Sequence, residues 1–310
     1  MTRVVGCLVS TAVLVMPACV RAQAPATDRA SAVDTARLMA DVRVLAADSM
    51  EGRGVGSAGS LKARAYLLGR FTEVGLRPIG DSFERPFTFT GGGASGRGVN
   101  LVGVIEGVAQ PEQYIIVTAH YDHLGVRDGA VHNGADDNAS GTAALLEIAR
   151  ELSETPPAHS VVIAALDAEE SGLRGARAFV DDPPVDANRI LANLNLDMVS
   201  RGDGGELWVA GTYHYPNLLP LVEEVAARSP IDLRVGHDRP GVAGQDDWTN
   251  ASDHGPFHAA GIPFLYTGVE DHADYHKPTD DADRIDPGFY GRAVATITDL
   301  LRELDAFLSN

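Results

Sequence analysis

An alternation of strand-like and helix-like runs from residue 99 onward constrains this chain more than any other feature. Residues 99–105 and 114–119 read as strands, 141–152 as a helix closed by Pro156 and Pro157, and 160–166 as an almost wholly apolar strand. A helix over 173–180 follows, then strands over 190–196 and 207–210, a helix over 216–228, strands over 231–235 and 262–266, and a closing helix over 289–308. Apolar runs without alternation suit strands covered on both faces. The order predicts an α/β fold: a single three-layer domain with a mixed, mostly parallel central sheet and helices on both faces. Upstream, Asp34 can cap a helix over 35–47, and a second helix covers 60–74. The glycine-rich stretches 51–59 and 91–98 read as loops. No internal repeat stands out.

Composition narrows the classes. With 45% apolar and 22% charged residues the chain is globular rather than disordered. A net charge of −18 argues against nucleic acid or an anionic membrane as partner. Residues 1–24 have the form of a secretory signal peptide: Arg3, then a short apolar stretch, then Ala22-Gln23-Ala24 as a cleavage site. Cys19 after Ala18 is the weaker alternative, a lipid-attachment site. The apolar stretch is too short for a span of ~20 residues. The expected organisation is therefore leader 1–24, linker 25–33 and one domain over 34–310, in an exported protein. Both cysteines, Cys7 and Cys19, fall in the leader. A mature chain then has no disulfide and no thiolate ligand, so a transition metal would need His, Asp and Glu.

In parallel sheets ligands bind beyond the carboxyl ends of the strands. There the chain places His120-Tyr121-Asp122-His123, then Asn133 to Gly141, Asp167 to Glu170, Asp197, and Asp274-Tyr275-His276. Singly, each has a plain structural reading as a helix cap, a solvated pair or a core histidine. Together they bring His or carboxylate to one sheet edge from five segments. Two cations ~3.5–4 Å apart need a shared carboxylate. One His and one carboxylate for each, with one carboxylate shared, matches His120, Asp136, Glu170, Asp197 and His276. Glu169 is left over beside a ligand, as a general base must be.

At these motifs the chain resembles the M28 family of zinc peptidases, the co-catalytic dizinc aminopeptidases. Ser252-Asp253-His254-Gly255-Pro256-Phe257 and the early Met50-Glu51-Gly52-Arg53-Gly54 add to the likeness. The resemblance implies two Zn²⁺ per chain, with Co²⁺ or Mn²⁺ also suited to such ligands. His120, Asp136 and Asp197 would hold one ion and Asp136, Glu170 and His276 the other, with Asp136 bridging and a cis peptide joining it to Asp137. Asp122, Asp137, Asp253 and His254 would stand behind the ligands, Asp122 accepting from the second ring nitrogen of His120. The implied activity is hydrolysis of N-terminal residues from peptides or proteins by metal-activated water, with Glu169 as general base.

The chain departs from the family where some members carry a tyrosine that assists the oxyanion; Thr249 stands there. His254 and Tyr213 are the remaining candidates. His123, His132 and His272 lie near ligands without occupying ligand positions, and Asp246, Asp247 and Trp248 could shape a specificity pocket. Rival readings are a glutaminyl cyclase-like acyltransferase, a carboxypeptidase-type member, and a non-catalytic domain on the same fold. The sequence leaves the oligomeric state open.

Overall fold

Burial on both faces fixes the centre of the sheet, as the apolar runs require. The computed structural model describes residues 1–2, 33–91 and 94–309. The expected leader and linker lie outside these residues, apart from 1–2 and 33. In chain order the strands are β1 (Arg77–Pro78), β2 (Glu84–Gly91), β3 (Ala94–Ile105), β4 (Gln110–His120), β5 (Gly125–Arg127), β6 (Ala130–His132), β7 (His159–Leu166), β8 (Ile190–Leu196), β9 (Glu206–Ala210), β10 (Asp232–Val235) and β11 (Phe264–Gly268). The helices are α1 (Thr35–Leu45), α2 (Ala58–Glu73), α3 (Gly141–Glu154), α4 (Arg174–Asp181), α5 (Leu219–Arg228), α6 (His254–Ala259) and α7 (Pro287–Leu308).

The main sheet runs β1-β3-β7-β4-β8-β11-β9-β10, with β2 hydrogen-bonded to β3. Its centre, β7-β4-β8-β11, is parallel. Antiparallel pairings flank it at β3 with β7 and at β9 with β11. Alternate residues of a strand face opposite sides. Ile115 and Val117 of β4 join the core under α1, α2, α3 and α7, while Ile116 packs with Ala176 and Phe179 of α4 and Phe257 of α6. Helices therefore cover both faces, as the sequence predicts. The four parallel strands end at one edge, beside His120, Leu166, Leu196 and Gly268. Among the described residues no helix is long and apolar enough to cross a membrane.

Two elements differ from the sequence reading. The stretch 91–98, expected as a loop, mostly belongs to the β2–β3 hairpin, where Phe89 pairs with Gly96 and Phe87 with Gly98. A Cβ on Gly98 would lie 2.3 Å from the Phe87 ring, and one on Gly96 2.8 Å from the Phe89 ring. The glycines are thus part of the strand and make room for aromatic rings. The short helix α6 has no counterpart in the sequence reading, because one and a half turns carry too little periodicity to stand out.

A tight turn over Ala135–Ser140 feeds directly into α3. Its exit is crowded: a Cβ on Gly141 would lie 2.6 Å from the Leu196 carbonyl oxygen and 2.4 Å from Asn138 Oδ1. Gly→Ala inside a helix ordinarily stabilises by ~1 kcal/mol. At Gly141 the sign should reverse, with overpacking lowering stability by about 1–3 kcal/mol. Chemical denaturation of Gly141→Ala reads this directly, and a variant as stable as the parent would refute the close packing.

Candidate metal centre

His120 ends β4, Glu169 and Glu170 follow β7, Asp197 follows β8, and His276 lies on the loop after β11. The parallel arrangement carries all of them to one edge. Asp137 completes the group from the turn before α3.

The carboxylate of Asp137 faces two sides. Its Oδ1 is 3.4 Å from His120 Nε2, which is also 3.2 Å from Asp197 Oδ1. Its Oδ2 is 3.1 Å from His276 Nε2, which is also 3.4 Å from Glu170 Oε2. His123 Nδ1 approaches from the back, 2.7 Å from Glu170 Oε1 and 3.7 Å from Asp137 Oδ2. Two sets of metal-capable atoms result, His120 with Asp137 and Asp197, and His123 with Asp137 and Glu170. His276 adds a nitrogen to the second.

This corrects the expected position of Asp136. Ser200 donates to Asp136 Oδ1 from its amide at 2.8 Å and its hydroxyl at 2.6 Å, and His272 Nε2 lies 3.2 Å from Oδ2. Those contacts turn Asp136 away from His120 and His276. The Asp280 carboxylate accepts the main-chain N–H of both Asp136 and Asp137, each at 3.1 Å, and fixes the turn so that Asp137 points inward. The cis peptide also lies one residue on, between Asp137 and Asn138. Asp137, expected behind the ligands, occupies the place between the two sets.

The contact of Asp122 differs as well. His120 Nδ1 meets the main-chain oxygen of Asp122 at 3.1 Å, whereas the Asp122 carboxylate is 3.7 Å away and accepts the Glu169 N–H at 3.0 Å. The ring is thus fixed by backbone, and the Asp122 carboxylate orients the turn that carries Glu169. Asp253 is fully buried with neither carboxylate oxygen hydrogen-bonded, and burial raises its pKa to about 8. His254 Nε2 meets the Trp248 carbonyl at 2.7 Å while its ring stacks on Tyr266 at 4.5 Å, so it aims no donor at the cluster. Tyr213 is 47% exposed under the Arg239 guanidinium, outside the cluster. Thr249 donates to Asp247 Oδ1 at 2.5 Å and is met by His214 Nε2 at 2.9 Å.

Electrostatics follow from burial. Desolvation would lower the His120 ring, but the carboxylates of Asp197 and Glu169 outweigh it and hold the ring well above its usual range. Burial, with Asp253 and Asp197 adding repulsion, pushes Glu169 well above the usual carboxylate range. Burial raises Glu170 to about 6 and Asp280 to about 7. It lowers His123 to about 3, so that ring is neutral.

A cavity of about 340 Å³ opens onto the cluster. Asp137, Glu169, Glu170, Asp197 and Asp271 supply its acidic side; Leu173, Met198, Trp248, Ala251 and Val269 supply its apolar side. Tyr266 and Tyr275 bring phenol groups, and Tyr275 stacks on His276 at 3.9 Å. Sequence reading passed over both tyrosines; the adjacency of Tyr275 to a ligand position was the available signal.

The model of "Peptidase family M28" matches residues 100–301. The chain is 32% identical over 197 residues to aminopeptidase YwaD of Bacillus subtilis, across 60% of this chain and 40% of that protein. It spans less than half the length of such curated relatives. The fold is shared with BSAP, a zinc aminopeptidase from Bacillus subtilis, at a TM-score of 0.72 and 17% identity over 87% of this chain and 95% of that one. It is also shared with a glutaminyl cyclase of Bacteroides thetaiotaomicron, at 0.68 and 20% identity over 87% and 98%. The family match runs from β3 to α7 and takes in every residue of the cluster, and the chain belongs to peptidase family M28.

Proposed function

We propose that this chain is a metal-dependent exopeptidase that removes N-terminal residues from peptides, using a pair of zinc ions and Glu169 as general base. The observation that carries the reading is the two-sided placement of Asp137, one oxygen toward His120 and Asp197 and the other toward His276 and Glu170. The donor set fits the metal. It consists of imidazole nitrogen and carboxylate oxygen; His123 Nε2 is buried without a hydrogen-bond partner, and Asp137 Oδ2, Glu170 Oε1 and His123 Nδ1 are buried in close polar contacts that lack hydrogen-bond geometry. His120, Asp137 and Asp197 would hold one ion, and Asp137, Glu170 and His276 the other. When bound, such a pair supplies Lewis acidity and lowers the pKa of water.

The chain's own groups do the rest. Glu169 removes the proton of the attacking water, keeps it on its carboxylate and delivers it to the leaving amine. Asp122 fixes that carboxylate's turn through the Glu169 N–H. The acidic side of the cavity suits a free α-ammonium group, and the apolar side suits the first side chain. Among the described residues no Arg or Lys lines the cavity to pair with a C-terminal carboxylate. That favours cleavage from the amino end over a carboxypeptidase. A shared carboxylate between two ligand sets favours a dizinc hydrolase over a single-metal cyclase.

Aminoacyl chromogenic substrates offered with and without chelator test the reading. Activity should vanish on metal removal and return with zinc, whereas blocked N-termini should not be cleaved. Glu169→Gln should keep about two zincs per chain and lose roughly 10²–10⁴-fold in kcat. A variant that retains turnover removes Glu169 from its role.

Metal-free stability gives an independent readout. Asp253, Asp280 and Asp167 hold their protons to about 8, 7 and 7, above their unfolded values, because they are buried. His120 and His276 are also raised. For all five the native state binds more protons than the unfolded chain, so stability falls as pH rises through this range. His123 and His254, lowered to about 3 and 4 by burial, act oppositely, but only at lower pH where the unfolded rings titrate. The melting temperature of the metal-free chain should therefore drop between about pH 7 and pH 8.5, while the increment added by zinc grows as ligand protons are released more readily. A metal-free melting temperature that rises over this interval would contradict the buried acid cluster.

A further inference from the structure

Arg53 is a charged side chain with 0% exposure. Among the described residues its guanidinium donates only to main-chain carbonyls. Nε donates to the Tyr121 carbonyl at 2.7 Å, Nη1 to the carbonyls of Leu45 at 2.7 Å and Asn133 at 2.6 Å, and Nη2 to that of Gly134 at 2.9 Å. Tyr121 lies between His120 and Asp122, and Gly134 opens the turn that presents Asp137. One side chain thus grips both segments that deliver the central ligand positions. The backbone is strained to aim it: Glu51, Gly52 and Arg53 all have left-handed φ, at 51°, 60° and 52°. A Cβ on Gly52 would lie 2.3 Å from the His132 carbonyl oxygen, so the approach is closed to other residues. Left-handed non-glycine residues cost of order 1–3 kcal/mol and persist where surrounding structure imposes them.

Resting on the metallopeptidase reading, we propose that Arg53 is a positioning residue of the metal centre: a permanent internal cation whose fork holds the His120 and Asp137 segments at ligand spacing before any metal binds. Four main-chain acceptors in a fixed arrangement need the planar five-donor guanidinium; a lysine has three donors on one nitrogen. The acids whose charge acts on this guanidinium are Asp137, Asp122, Asp280 and Glu170. Arg53 therefore partly offsets their mutual repulsion in the metal-free chain.

The test compares Arg53→Lys and Arg53→Met in the full chain with the parent. Zinc affinity is measured by competition with a chromophoric chelator, and melting temperature with and without zinc. Both variants should melt lower. A side chain that served the fold alone would leave zinc affinity unchanged in the folded variants, and that result overturns the proposal. The positioning role predicts at least about tenfold weaker zinc binding in both, with no rescue by lysine, and a smaller melting-temperature gain on adding zinc. Should neither variant fold, amide exchange in the metal-free parent decides. Protection of residues 121–123 and 135–139 without zinc supports the clamp, and rapid exchange there that only zinc suppresses refutes it. A parent that binds no zinc at all would defeat the peptidase reading, whereas the exchange result would still stand on its own.

Discussion

Carboxylates gathered in a dry site repel one another strongly, and the sheet edge of this chain gathers many. Asp122, Asp137 and Asp253 are buried there beside Asp197, with Glu169 and Glu170 at the cavity wall. Folding must offset that repulsion. The chain supplies the Arg53 guanidinium behind the His120 and Asp137 segments, and the raised imidazoles of His120 and His276 among the acids. In the proposed function a pair of divalent cations completes the compensation. An arrangement unfavourable by itself and favourable with metal couples binding to stability.

The scaffold makes this crowding possible. Four parallel strands with apolar faces form the floor, and the segments that follow them carry the His and carboxylate groups of the cluster. Rigidity at the ends is secured locally. Asn138 donates its side-chain amide to the Leu196 carbonyl at 2.9 Å and accepts the Gly141 N–H at 2.8 Å, so the Asp137 turn is stitched to the end of β8. Thr142 bonds the His120 carbonyl at 2.7 Å and ties α3 to the end of β4.

The sequence made the α/β order, the sheet edge and most of the cluster legible, because long apolar runs and post-strand polar residues are local signals. The register within Asp136-Asp137 was not. Two adjacent acids on a turn point opposite ways, and which one faces inward depends on Asp280, Ser200 and His272, all distant in the chain. The backbone contact of His120 with Asp122 was hidden for the same reason, since side-chain and main-chain acceptors share one residue number. The β2–β3 hairpin was obscured because glycines opposite Phe87 and Phe89 imitate a loop. Arg53 drew notice only as part of a motif; nothing local marks an arginine for complete burial.

Diffraction at the zinc absorption edge from crystals of the zinc-loaded chain tests the shared-carboxylate arrangement most directly. Two anomalous peaks should flank the Asp137 carboxylate, one beside His120 and Asp197 and the other beside Glu170 and His276. A single peak, or a pair astride Asp136, would contradict it.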